Sequence, residues 1–392
     1  MMSKEPANKA RITPFSGLVV VELGHSVAAP FAGQILGELG ARVIKIEKAT
    51  GDDARKWGPP FIDGASSIFQ ALNRNKESVV CDLRSIADAT ALQKFIAEKA
   101  DIVLQNLRPG QVDQLGLDAK TLTNSNDRLI YCNIGSFGQS GPLAKKPGYD
   151  PLMQAFGGIM STTGHPGSAS VRVGPSIVDM GTGMWAVIGV LAALQERQLT
   201  GRGRVVDVSL FETATCWVSL LASQCLASGE TPTKQGSGAS SIVPYKAYAT
   251  QDSGEIVVAA GSDGLFFRLA DELGKPEWKS DSRFIDNPSR VQNQGDLYRM
   301  LDEIFVTGSV QHWVERMDAA GIPCSPVQDI SQMLAHPQTI ALNLLQELPG
   351  SDMRYLGLPL SFDGNRPTSV TPAPGLGQHN SILFQAMESA GP

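Results

Sequence analysis

Asp179 is the residue of this chain best placed to do chemistry. It stands between glycines in Gly174-Pro-Ser-Ile-Val-Asp-Met-Gly-Thr-Gly183, directly ahead of the apolar run Met184-Trp-Ala-Val-Ile-Gly-Val-Leu-Ala-Ala-Leu194. A carboxylate in the first turn of a helix faces unpaired backbone N–H groups and the positive end of the helix dipole, which favours its ionised form. Such a group either caps the helix or attacks an electrophile, and composition alone favours the cap. Two further features offer polar chemistry. Tyr149-Asp150 sets a phenol beside a second carboxylate; a phenol with an ordinary pKa of about 10 is a poor base at neutral pH but a good hydrogen-bond donor. Gln235-Gly-Ser-Gly-Ala-Ser-Ser241 mixes mobile backbone with hydroxyl donors, and read alone it is equally well an interdomain linker.

The surroundings of Asp179 decide between cap and nucleophile. The stretch from Tyr149 to Arg204 resembles the family III coenzyme A transferases, which include formyl-CoA and carnitine CoA-transferases and share their fold with alpha-methylacyl-CoA racemase. The matching pieces are Gly148-Tyr-Asp150, Gln154-Ala-Phe-Gly-Gly-Ile-Met160, Thr163-Gly164, Asp179, Gly189-Val-Leu-Ala-Ala-Leu194 and Thr200-Gly-Arg-Gly203. The resemblance runs over nearly the whole chain, through Gly17-Leu-Val-Val-Val-Glu-Leu23, Leu39-Gly-Ala-Arg-Val-Ile-Lys-Ile-Glu47, Asn73-Arg-Asn-Lys76, Asn106-Leu-Arg-Pro-Gly110 and Gly375-Leu-Gly-Gln-His379. It implies that Asp179 is a covalent nucleophile, passing CoA between acids through mixed anhydrides and an aspartyl-CoA thioester. It also implies that Gly236, Ser237, Gly238, Ser240 and Ser241 belong to a glycine loop over the active site. The CoA thioester is then a substrate; no metal and no permanently bound cofactor is expected.

In the racemase branch a histidine holds the place of Tyr149 and exchanges an alpha proton. Tyrosine there favours the transferase reading, although His25 and His165 offer bases in principle. A 2-methylacyl-CoA racemase or epimerase, and a CoA-binding protein without turnover, stand as alternatives. For CoA, the resemblance points to Val27 and Ala28 in the turn Gly24-His-Ser-Val-Ala-Ala-Pro30. By their position near the ends of predicted strands, Lys48, Arg74, Asn106, Arg108 and Lys146 are candidates for the nucleotide phosphates, and Lys48 and Asn106 best match the contacts the resemblance implies. Formyl-CoA transferase carries glutamine at the position of Val27, so a formyl or oxalyl substrate is disfavoured. Gly51-Asp-Asp-Ala-Arg-Lys-Trp-Gly-Pro-Pro-Phe61 and Gly238-Ala-Ser-Ser-Ile-Val-Pro-Tyr-Lys-Ala247 are most similar to the succinyl-CoA-dependent branch, such as succinate-hydroxymethylglutarate CoA-transferase. A dicarboxylate would need a partner for its second carboxylate, with Arg172, Arg55 and the loop serines available.

The elements that must position these groups read as α/β. Leu18–Leu23, Arg42–Glu47, Ser78–Asp82, Asp101–Gln105, Leu129–Ile134 and Val205–Ser209 are apolar runs of strand length. Between them lie helical patterns at Pro30–Leu39, Ala87–Lys99 and Gly181–Arg197, and Phe211–Ser228 follows the last strand. This is a large doubly wound, Rossmann-like domain. Glu47 falls where a dinucleotide fold binds a ribose, but the first turn lacks G-x-G-x-x-G, so nicotinamide binding is rejected. Residues 1–228 form the first part of this domain. A smaller α+β domain, 229–325, carries the glycine loop, a strand pair at Tyr245–Thr250 and Glu255–Ala260, and helices near Gly264–Leu273 and Ser309–Ala320. Residues 326–392 return to the large domain, and the resemblance implies an interlocked homodimer.

Bulk composition is consistent with this. The chain has 392 residues, a formal net charge of −6 and 42% hydrophobic residues. That acidic balance argues against nucleic acid as the main partner. Cys81, Cys132, Cys216, Cys225 and Cys324 form no C-x-x-C pair and read as reduced, buried thiols. Met1–Arg11 is charged without an apolar core, and no later run of about 20 uncharged apolar residues suggests a membrane span. A cytoplasmic location is expected.

Overall fold

A computed structural model describes residues 13–351 and 353–382. The charged leader 1–11 lies outside the described residues. The described residues form two compact units: one holds those up to Gly158, Val173–Leu220 and those from Pro337 to 382, the other Ile159–Arg172 and Leu221–His336. Composition shifts place the boundaries at 228 and 325; the stretch 159–172, which carries no such shift, groups with the second unit.

The first unit is a mixed α/β layer structure. Its strands are β1 (Val19–Leu23), β2 (Arg42–Glu47), β3 (Lys76–Val80), β4 (Ile102–Gln105), β5 (Ile130–Gly135) and β6 (Val205–Ser209). The helices that position the site are α1 (Ala28–Glu38), α2 (Ile86–Lys99), α3 (Asp150–Phe156), α4 (Ile177–Thr200) and α5 (Leu210–Trp217). The six strands pair in the order β3-β2-β1-β4-β5-β6, all parallel. The chain therefore moves outward one way from β1 to β3, then crosses back to β4 on the other side of β1. Ligands in such sheets bind outside the carboxyl ends of the strands at that switch point. The inner strands are rich in apolar residues because both of their faces are covered: Val20, Val21, Val43, Ile44, Val103, Leu104 and Ile130 are fully buried. Burial of each such side chain contributes about 1.5–3 kcal/mol.

Several boundaries differ from expectation for identifiable reasons. α1 begins at Ala28 rather than Pro30, since a proline in the first turn removes only an N–H that has no helical partner. β3 begins at Lys76 because Asn75, at φ +61°, turns the chain straight into it. The apolar stretch 211–228 makes two helices, Leu210–Trp217 and Ser219–Ser228, separated at Val218, whose N–H closes on the Cys216 carbonyl. The thiols also differ from expectation. All five are free, but only Cys81 and Cys132 are buried; Cys216 is exposed and Cys225 and Cys324 are half-buried.

α4 is long and apolar enough, by length and composition, to cross a membrane. In the first unit it packs instead. A Cβ on Gly183 would stand 2.8 Å from the Ala28 carbonyl oxygen, and one on Gly181 would stand 2.7 Å from the Trp217 ring. These glycines let α4 lie directly against α1 and α5. The C-terminal segment covers the free edge of β3: His379 N–H donates to the Ser78 carbonyl (2.9 Å), and Val80 N–H donates to the Asn380 side chain (2.8 Å). Covering an edge in this way removes a template for aggregation.

The second unit is an antiparallel three-stranded sheet packed on helices. β7 (Tyr245–Ala249), β8 (Glu255–Ala259) and β9 (Cys324–Pro326) pair in the order β9-β8-β7. Its helices α6 (Asp263–Glu272), α7 (Gln294–Phe305) and α8 (Val310–Ala319) enclose a core of Tyr248, Ile256, Val258, Phe266, Leu301, Phe305 and Trp313. The sequence reading missed α7 and β9. Leu297, Leu301 and Phe305 do recur at helical spacing, but they are embedded among charges.

Candidate active site

Asp179 sits in the third position of α4, after Ile177 and Val178, and is half-buried. The N-cap residue Ser176 makes no side-chain cap. Asp150 makes it instead: one carboxylate oxygen, Oδ2, accepts the N–H of Val178 at 2.8 Å and of Asp179 at 3.2 Å. Its other oxygen accepts from Gln154 Nε2 at 2.6 Å, and Gln154 Oε1 accepts the Val173 N–H at 2.8 Å. This chain holds the segment entering α4, and it explains why the helix begins four residues before Gly181.

With the capping task taken by Asp150, the Asp179 carboxylate makes no hydrogen bond among the described residues. Burial, and then the negative charge of Asp150, push its pKa up to about 7. The helix dipole opposes this shift. The result is an acid that is partly ionised at neutral pH and not quenched by donors.

A cleft of about 650 Å³ opens at the carboxyl ends of β1, β2, β4 and β5. Among its lining residues are Gly24, His25, Lys48, Asn106, Arg108 and Tyr149. The cleft lies at the switch point between β1 and β4 and is large enough for a sizeable part of a nucleotide. Asn106 fixes its floor, accepting the His25 N–H at 3.0 Å and donating to the His25 carbonyl at 2.9 Å. Burial pushes the His25 imidazole below its ordinary range, with Asp52 opposing and Lys45 reinforcing. It is therefore neutral at neutral pH.

The residues picked out from the sequence fall into three groups. Lys48, Asn106, Arg108 and Tyr149 come together on the cleft wall. Lys48 pairs with Asp53 at 2.7 Å in solvent. Val27, Ala28, Arg74 and Lys146 are not on that wall. Val27 is the N-cap of α1, Ala28 is buried beneath Gly183, and Lys146 lies 5.8 Å over the Phe137 ring. Arg74 is buried and spent on structure: it pairs with Glu38 and donates to the Leu356 carbonyl and the Ser369 hydroxyl, both near the C-terminus. Arg55 is likewise committed, forking onto Glu47. Glu47 also takes the Ser78 hydroxyl and the Asp52 N–H, which leaves no room for a ribose.

Arg172, Gly236, Ser237, Gly238, Ser240 and Ser241 belong to the second unit. There the loop is tied locally. Gly236 N–H donates to the Gly164 carbonyl (2.9 Å), Ser237 Oγ accepts the Ala247 N–H (3.0 Å), and the Ser241 carbonyl accepts from Asn287 (2.9 Å). Reading the sequence missed the capping role of Asp150 and Gln154. The available signal was their spacing of four residues just after a turn, with Pro151 marking a helix start.

Comparison with known proteins decides the family. The CoA-transferase family III pattern matches residues 15–380. The chain belongs to CoA-transferase family III. Relatives include the acetyl-CoA:oxalate CoA-transferase of Acetobacter aceti, 36% identical over 94% of this chain and 95% of that one. The succinyl-CoA:glutarate CoA-transferase of Homo sapiens is 31% identical over 95% of this chain and 86% of that one. In structure, a CAIB/BAIF family protein from Brucella suis superposes with a TM-score of 0.85 at 35% identity, covering 96% of this chain and 99% of that one. This family III chain is thus a CoA-transferase, an enzyme class that moves CoA between an acyl-CoA and an acid.

Proposed function

We propose that the enzyme transfers CoA to a dicarboxylic acid through covalent intermediates on Asp179, with succinyl-CoA as donor. The observation that carries this reading is the unpaired Asp179 carboxylate in the first turn of a helix that Asp150 has already capped. Asp179 attacks the donor's thioester carbonyl, forming a mixed anhydride and releasing CoA thiolate. The thiolate attacks the aspartyl carbonyl, releasing succinate and leaving an aspartyl-CoA thioester. The acceptor carboxylate attacks that thioester to give a second anhydride and free thiolate. Attack of the thiolate on the acceptor's carbonyl then yields the new acyl-CoA and regenerates Asp179. Each step exchanges one C–O or C–S bond for another, so no oxidant or proton acceptor is consumed.

The cleft at the β1/β4 switch supports CoA binding, with Lys48 and Arg108 facing the phosphates and Asn106 holding its floor. Oxalate, glutarate, D-citramalate and mesaconate, the acids in the names of relatives, are all dicarboxylates. The first of these relatives pairs an acetyl-CoA donor with the short acceptor oxalate. Purified enzyme with succinyl-CoA and oxalate, glutarate, citramalate, mesaconate, acetate and butyrate tests the reading. Turnover restricted to monocarboxylates contradicts it.

The exposed apolar face of α4, with Met184, Trp185, Ile188 and Leu191 each 40% exposed or more, supports a homodimer.

A further inference from the structure

A fully buried charge cluster lies beneath the first turn of the sheet, and the chemistry above leaves it unused. Glu22, Lys45 and Lys76 come from the neighbouring strands β1, β2 and β3; Glu22 and Lys45 are 0% exposed, Lys76 3% and the adjoining Asp52 4%. Lys45 Nζ donates to Glu22 Oε1 at 2.8 Å and lies 2.9 Å from Asp52 Oδ2, while Lys76 Nζ lies 2.7 Å from Glu22 Oε2. Two cations meet two anions. α1 makes room for them at Gly33, where a Cβ would stand 2.1 Å from Glu22 Oε2. Taking charges out of water generally costs more than pairing returns, so apolar residues would serve stability as well.

What apolar residues could not supply are the cluster's remaining bonds. Lys45 Nζ donates to the Gly24 carbonyl at 2.7 Å, and Lys76 Nζ donates to the Pro30 carbonyl at 2.8 Å. Asp52 Oδ1 accepts the N–H of Ser26 at 3.1 Å, a residue held at φ +69°. The two ends and the strained middle of the turn 24–30 all terminate on this one cluster. That turn supplies Gly24 and His25 to the cleft wall and Ala28 to the contact with Gly183, on the helix that carries Asp179.

We infer that Lys45 and Lys76 are positioning residues for acyl transfer: they clamp the turn 24–30 and so fix the cleft wall against the helix of Asp179. The inference rests on the reading of the cleft as the CoA site. Two charge-balanced variants separate clamp from fold. Glu22→Gln with Lys76→Met releases the Pro30 carbonyl, and Asp52→Asn with Lys45→Met releases the Gly24 carbonyl. Each leaves the other ion pair in place. Free CoA is titrated calorimetrically into the wild type, both double variants and Asp179→Ala, with thermal unfolding recorded alongside.

A clamp gives one site per folded chain with Kd raised about tenfold in either double variant, the scale of one buried hydrogen bond. Asp179→Ala keeps the wild-type Kd. An unchanged Kd in both double variants, with or without fewer binding-competent molecules, overturns the inference, because a purely structural cluster lowers the amount of active protein and not its affinity. Wild-type protein that binds no CoA overturns the cleft reading itself, and that outcome is seen before any substitution is made.

Discussion

One oxygen of Asp150 accepts the backbone N–H groups of both Val178 and Asp179, at 2.8 and 3.2 Å. The helix that carries Asp179 is thereby capped from a different helix. The two carboxylates divide between them the tasks that a single first-turn aspartate would otherwise combine. Asp150 satisfies the backbone; Asp179 keeps its lone pairs.

Two substitutions at Asp150 separate charge from capping. Asp150→Ala removes both, so it should cost about 1 kcal/mol of stability and lower kcat at least tenfold as the first turn of α4 loosens. Asp150→Asn keeps an acceptor oxygen but removes the charge that helps raise the Asp179 pKa. The acidic limb of its kcat/KM profile should move to lower pH, with stability largely kept. An unmoved limb would show that burial alone sets the Asp179 pKa.

The wild-type profile follows from the sign of that shift. Asp179 must be ionised to attack, and its pKa is raised to about 7. Activity should therefore rise with pH through about 7. Stability runs the other way. A carboxyl group whose pKa is higher folded than unfolded adds stability below its unfolded value near 4, and loses it as pH climbs towards 7. Asp179→Asn should thus raise Tm at pH 8 and leave it nearly unchanged at pH 4. Equal Tm changes at both pH values would count against the shift.

Gly183 is where α4 touches the turn 24–30. Gly183→Ala gains helix propensity of roughly 0.5–1 kcal/mol but sets a methyl 2.8 Å from a backbone carbonyl that has no rotamer to yield. Overpacking of this kind costs about 1–3 kcal/mol, so the clash should win and urea unfolding should shift to lower concentration. Stabilisation instead would mean that the two helices can part without penalty.

The apolar face of α4 carries the homodimer reading. Met184→Glu with Ile188→Glu places charge on two half-exposed positions one turn apart. Light scattering coupled to gel filtration should report a dimer for the wild type and a monomer for this variant. A wild-type monomer removes the dimer from the account.

Much of this architecture was legible because parallel strands buried on both faces announce themselves as short apolar runs, as in 19–21 and 130–132. Asp179 stood out for a related reason: an isolated acid before a long apolar helix is either a cap or a nucleophile, and it was the family resemblance that favoured the second. The cap was not legible, since Asp150 reaches Val178 across 28 residues and nothing local in the sequence encodes that distance. Nor was the fate of Arg74, Arg55, Lys45 and Lys76. A basic residue next to a strand end looks the same in sequence whether it meets a phosphate or a buried carboxylate. In the structure Arg74 meets Glu38, Arg55 meets Glu47, and both lysines meet Glu22.

The most direct test of the covalent step is mass spectrometry of enzyme incubated with succinyl-CoA and then treated with hydroxylamine, followed by peptide mapping. The account expects a hydroxamate on the peptide containing Asp179, absent without succinyl-CoA and absent in Asp179→Ala, which should also lose transfer. Modification at another residue, or full transfer activity in Asp179→Ala, would contradict it.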